Sequence, residues 1–122
     1  MEKDLDTIIV SSRPGGIEFF ITKGYWENIR ISDNKIKNIK YIALYQAITE
    51  KKINKLGKIN KIEKYVVSPY KPPKYRIFFT LLDIEVNVIL DDTKNRKLVI
   101  QSPRYTNFDH LLKCKTLSEL FK

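Results

Sequence analysis

The stretch Ile36-Lys-Asn-Ile-Lys-Tyr-Ile-Ala-Leu-Tyr-Gln46 decides how the rest of the chain is read. From Tyr41 onward it alternates, with Ile42 and Leu44 on one face and Tyr41, Ala43 and Tyr45 on the other. A period of two marks a β-strand, and apolar density without Gly or Pro suits a central strand rather than an edge. The second face carries two tyrosines around a small alanine, and Gln46 closes the strand. Flat rings and an amide can hold a planar heterocycle by stacking and hydrogen bonding. The same pattern also fits a core strand whose tyrosines only pack.

Outward from this strand, the N-terminal side reads as strand, break, helix and strand. Thr7-Ile-Ile-Val-Ser11 has three large aliphatics in a row, the pattern of a buried strand. Ser11 to Gly16 breaks it, because Pro14 restricts Arg13 while Gly15 and Gly16 permit unusual backbone angles. Ile17, Phe20 and Ile21 fall at helical spacing and favour a short helix over residues 17–22, ended by Gly24. Tyr25 and Trp26 lead into a short strand, Ile29-Arg30-Ile31, and Ser32 to Lys35 reads as a polar turn.

On the C-terminal side, residues 47–57 lack a clean period and read as an ordered loop or one irregular helical turn. Lys58 to Val67 reads as a strand whose alternation fails between Ile59 and Ile62, which a β-bulge would repair. Ser68 to Lys74 holds three prolines and cannot lie inside a sheet. Tyr75, Ile77 and Phe79 share one side of the next strand. Ile84, Val86, Val88 and Leu90 share one face of another, with its other side solvated. Lys97 to Gln101 is the expected last strand. Helices follow at 108–113 and 117–121, the second opened by Thr116 with Glu119 three residues on, a capping box. Five to six strands with short flanking helices and a helical tail predict one α+β domain over residues 1–122, with a small curved β-barrel as its architecture.

The 122 residues carry a net charge of +9, unevenly spread. Lys51, Lys52, Lys55, Lys58, Lys61, Lys64, Lys71, Lys74 and Arg76 face a single acid, Glu63, so this stretch holds +8 and the remainder +1. Such concentration favours a directed contact with a polyanion, here the backbone of DNA or RNA. Solvated lysines that need no partner are the plainer alternative. No apolar run approaches the ~20 residues that span a bilayer, so no membrane is expected. The acidic start carries no secretory pattern, and a single cysteine, Cys114, predicts a reducing, cytoplasmic setting.

Little in the chain points to catalysis, and no catalytic residue, metal or cofactor is expected. His110 and Cys114 stand four apart on a helix, but zinc wants three or four ligands. Arg13-Pro-Gly-Gly16 matches no phosphate-binding loop. A small metal-dependent nuclease would have to use Asp83, Glu85 and Lys94, and that is the alternative function.

The order of these motifs resembles the EVE-like branch of the PUA-like superfamily. The resemblance rests on Trp26 followed by Ile29-Arg30-Ile31, on Ile39 to Gln46, on the bulged Gly57-Lys-Ile-Asn-Lys-Ile-Glu63, and on the tail from Pro103 to Leu117. It implies a barrel-like sheet with a concave pocket in which EVE, YTH and ASCH relatives receive a flipped, sometimes modified, base among aromatic rings. On this chain the pocket would fall among Ser11, Ser12, Tyr25, Trp26, Arg30, Tyr45 and Gln46. Domains of this kind also occur beside restriction-type nucleases, so a nuclease subunit is an expected partner, and an adaptor role beside one is a further alternative. The chain departs from the pattern at Glu50-Lys-Lys-Ile-Asn-Lys55, where relatives carry an uncharged link.

Overall fold

The computed structural model describes residues 4–48, 50–95, 97–100 and 102–121. Seven strands and four short helices follow one another along these residues: β1 (Thr7–Ser12), α1 (Gly16–Lys23), β2 (Tyr25–Ile29), α2 (Asp33–Ile36), β3 (Tyr41–Gln46), β4 (Lys52–Tyr65), β5 (Lys74–Leu81), β6 (Val88–Ile89), β7 (Arg104–Thr106), α3 (Phe108–Lys113) and α4 (Leu117–Leu120). They form one sheet in the order β2-β5-β4-β3-β1-β7, with β6 pairing on β4. β1 runs parallel to β3, joined through the crossover that contains α1 and β2, while the other pairings are antiparallel.

β3 sits inside the sheet, and its period of two is real, but neither face meets solvent. Ile42 and Leu44 join Ile8, Val10, Phe20, Ile77 and Phe79 in one core. Ala43 and Tyr45 join Ile9, Ile53, Leu56, Leu111 and Leu117 in a second core on the other side. Tyr41 stacks on Phe108 at 3.8 Å between ring centroids, which helps seat α3. A strand covered on both sides must spend its aromatic residues on packing, so the tyrosine face is interior rather than a ligand wall.

The sheet is not a closed barrel. β2 and β7 are its two ends and do not pair with one another. Residues 52–56, expected as a loop, are the first part of β4. Their alternation was obscured by a bulge: Leu44 pairs with Lys55 and Tyr45 with Ile53, which leaves Asn54 over. A second shift between Ile59 and Lys61 leaves Asn60 over, within the interval where broken alternation predicted a bulge. Between these bulges Gly57 lets the Phe79 ring approach, since a Cβ there would lie 2.4 Å from Phe79 Cδ2.

Two expected strands are largely absent. Of residues 81–90, Leu81 ends β5 and only Val88 and Ile89 form a new strand. Leu82, Val86 and Leu90 reach the second core from irregular backbone and Val88 from β6, whereas Ile84 of the expected face is 38% exposed. Residues 97–100 form a turn and bend, and Gln101 lies outside the described residues. The last strand is instead β7, which pairs antiparallel with β1 from Ile9 to Thr7. Ser32 to Lys35 contains the start of a single helical turn rather than an open turn. Thr116 caps α4, its hydroxyl accepting from the Glu119 amide at 3.2 Å and donating to the Glu119 carboxylate at 3.3 Å, so the carboxylate meets the hydroxyl rather than the Thr116 amide of a full capping box.

Candidate functional site

β1 ends at Ser12, and the chain turns through Arg13, Pro14 and Gly15, where the Gly16 amide donates to the Arg13 carbonyl at 3.0 Å. Gly15 has φ of 90°, a left-handed conformation that glycine adopts at no steric cost. Gly16 must be small, because a Cβ would collide with Ser12 Oγ and come within 3.1 Å of Trp26. The turn therefore lays the start of α1 against the indole on β2. Phe19 and Phe20 meet that indole edge-on, each at 5.9 Å.

β2 breaks its register between Trp26 and Ile29. Asn28 takes a positive φ of 67° in that break, a conformation Asn tolerates better than most side chains. The break is held from outside: the Asn28 amide donates to the Tyr65 hydroxyl at 2.9 Å, and Lys74 Nζ donates to Asn28 Oδ1. Beside it, Glu27 accepts two bonds from Arg76, at 3.0 and 2.7 Å. That hydrogen bond raises the guanidinium pKa above its ordinary value. Arg76 also lies over the rings of Tyr25 and Tyr65, at 5.8 and 5.4 Å.

The result is an open cleft of about 530 Å³ lined by Ser11, Arg13, Pro14, Gly15, Gly16, Phe19, Trp26, Glu27 and Asn28. A recess of about 140 Å³ adjoins it through Ser11, Trp26 and Asn28 and runs toward Ser102 and Pro103. Aromatic rings, hydrogen-bonding groups and a solvent-exposed cation, Arg13, thus line one opening. Such a lining can take a flat heterocycle bearing an anionic group.

The residues expected to share one pocket are dispersed. Ser11 and Trp26 line the cleft. Ser12 is buried, and its hydroxyl donates to the Arg13 carbonyl at 2.8 Å. Tyr25 packs against Phe19 and Phe78. Arg30 lines a different depression of about 440 Å³ with Lys64, Pro72, Pro73 and Tyr75. Tyr45 is 0% exposed in the second core, whereas Trp26 packs on the first, so the sheet lies between them. Burial pushes the Tyr45 phenol pKa up, and its hydroxyl has no hydrogen-bond partner among the described residues. Gln46 is buried and donates to Asn54 Oδ1 at 2.6 Å. Arg13, Phe19 and Asn28 were missed as cleft residues. Pro14-Gly15-Gly16 was the available signal for Arg13, but nothing in the spacing announces a bulge at Asn28.

The basic stretch is also spread out, lining separate depressions toward the two ends of β4. Lys51, Lys58, Lys61, Lys64 and Lys71 are exposed, and the other four are half-exposed. Lys61 lies over Phe78 at 5.9 Å and beside Glu63 at 3.7 Å. Lys52 and Lys55 line a groove of about 790 Å³ together with Asp83 and Glu85. Lys94 is not part of that groove, and no cluster of three or more His, Cys, Asp or Glu suited to a metal occurs among the described residues. His110 lies 3.7 Å from Cys114 and 3.3 Å from the Leu120 carbonyl, which links α3 to α4. No helix among the described residues is long and apolar enough to cross a membrane.

No family model and no curated protein matches this chain. Solved structures do. The crystal structure of ASCH from Zymomonas mobilis aligns over 87% of this chain and 91% of its own, with a TM-score of 0.59 and 11% identity. That of the S128A mutant protein aligns over 88% and 93%, with a TM-score of 0.56 and 13% identity. Identities this low speak to the fold alone. What this chain shares with these structures is an α+β fold, here a mixed, open sheet with a few short helices.

Proposed function

We propose that the protein is a nucleic-acid-binding module that receives one unpaired base in the cleft between α1 and β2. The observation that carries this reading is the placement of Trp26 and Phe19 beside the exposed cation Arg13 in a single opening of about 530 Å³. In this reading Trp26 stacks on the base, Ser11 and Asn28 meet its edge, and Arg13 takes the adjoining phosphate. Ser12, Tyr45 and Gln46 support the cleft and the sheet behind it. Tyr25 and Arg30 flank it on separate surfaces, and the exposed lysines of β4 hold the backbone electrostatically. Fold likeness to ASCH domains and the concentrated positive charge both support the general assignment.

The finer assignments belong to the same proposal. The central strand and the Arg104-Tyr-Thr106 tail favour an EVE-like specificity, with a modified base as ligand. The module is read as non-catalytic and cytoplasmic, working beside a nuclease subunit.

Trp26 is the only tryptophan, so its fluorescence reports directly on the cleft. Titration with plain and base-modified DNA and RNA oligonucleotides should quench it, with a difference between modified and plain strands. Trp26→Ala should weaken binding by about fivefold or more, the loss of one stacking contact. Binding without quenching and unchanged by Trp26→Ala would reduce the protein to a basic surface. Strand cleavage that needs magnesium and disappears in Asp83→Ala would replace this reading with the nuclease one.

A further inference from the structure

The hairpin joining β4 to β5 has a surface that the cleft does not explain. Val66 is 65% exposed, Val67 61% and Tyr70 94%, three large apolar side chains within five residues of chain. Exposed apolar residues scattered singly need no explanation, but a cluster on a projecting turn marks a contact surface. The turn is preorganised. Ser68 accepts from the Tyr70 amide through its hydroxyl and from the Lys71 amide through its carbonyl, each at 3.2 Å. Pro69, Pro72 and Pro73 restrict the backbone further, so little conformational entropy remains to be lost on binding.

The charge around the tip selects the kind of partner. From Lys64 to Lys74 the chain holds Lys64, Lys71 and Lys74 and no acid, while Arg76 just beyond is paired with Glu27. Arg30 joins Lys64 and the two adjacent prolines in the depression at the hairpin's base, where Asp33 is the one acidic residue lining it. The root of the hairpin is tied to the cleft. Tyr65 and Lys74, the residues at its two ends, both bond to Asn28, which lines the cleft wall. A strand held at the cleft therefore passes the root of this hairpin.

We infer that the Val66–Pro73 tip is a wedge that enters duplex nucleic acid beside the cleft, with Tyr70 lodged between base pairs. Apolar side chains inserted at a base step unstack it and kink the duplex, and flanking cations hold the displaced backbone. This rests on the nucleic-acid reading of the cleft and adds its route to a base that starts inside a helix.

The test uses the full chain and oligonucleotides carrying 2-aminopurine, whose fluorescence rises on unstacking, as duplex and as single strand. Wild-type protein should raise the duplex signal. Tyr70→Ala should abolish that rise and weaken duplex binding about fivefold or more, the scale of one stacked ring, and Val66→Ser with Val67→Ser should separately abolish the rise. Single-strand binding should stay within about twofold, since the cleft is intact. All three side chains are exposed, so the variants should fold, and their circular dichroism and Tm should match wild type. Wild-type affinity and signal in both variants would overturn the wedge and leave the cleft reading standing. Failure of the wild-type protein to bind either form would overturn the cleft reading itself. Loss of binding to vesicles of phosphatidylserine and phosphatidylcholine, with duplex binding unchanged, would reassign the tip to a membrane surface.

Discussion

Tyr45 shows how much a single side chain's position matters here. Its ring fills the second core, and its hydroxyl is buried without a partner among the described residues. A buried hydroxyl lacking a hydrogen bond costs on the order of 1–3 kcal/mol. Tyr45→Phe removes the oxygen and keeps the ring, so stability in urea denaturation should hold steady or rise by about 1 kcal/mol. The same residue sets a pH dependence. Burial raises the pKa of Tyr45 above 10.0, and that of Tyr75 too, the latter helped by Asp33. The unfolded chain then releases these protons at lower pH than the folded one. Their contribution is present in full below about pH 10 and is lost as pH rises through the elevated folded values. Tyr45→Phe should make the alkaline decline in Tm shallower, and an unchanged decline would show that Tyr45 has no share in it.

At the scale of elements, β4 organises the molecule through its irregularities. Two bulges let one 14-residue strand serve β3 along its first half and β5 along its second. A regular strand of that length would not curve to meet both. The short C-terminal helices act as a lid, with Leu111, Leu117 and Leu120 closing the second core. So short a helix as α4 depends on its cap, because isolated helical turns are unstable. Thr116→Ala should destabilise the protein by about 1 kcal/mol in chemical denaturation. An unchanged midpoint would mean that burial of Leu117 and Leu120 alone holds the helix.

Over the whole molecule, the open sheet decides how charge is presented. Lys52 and Lys55 face the groove with Asp83 and Glu85, while Lys64 and Arg30 meet near the β4–β5 hairpin. Affinity for oligonucleotides should therefore fall with salt, though less steeply than nine clustered cations would require. Replacing Lys58, Lys61 and Lys64 together with Gln should reduce the slope of log K against log salt by about 2–3. Replacing Lys52 and Lys55 should leave the slope nearly unchanged. Measuring the slopes of both variants separates a track along the second half of β4 from a diffuse basic surface.

The amino-acid order alone determined the local features of this protein. The period-two pattern of β3 and the broken alternation near Asn60 are written in the residue order, and the helix ended by Gly24 and the Thr116 cap follow from interactions between near neighbours. It also carried the positive charge and the tryptophan. Only the tertiary structure decided what faces what. Alternation says that two faces differ, not that one meets solvent, and covering both sides of β3 took Tyr45 out of reach of Trp26. Bulges at Asn54 and Asn28 each reset which side chains share a face, and that depends on pairing partners far along the chain. Arg13 entered the cleft because α1 folds back on β2; the Pro14-Gly15-Gly16 turn announced the reversal but not what it meets.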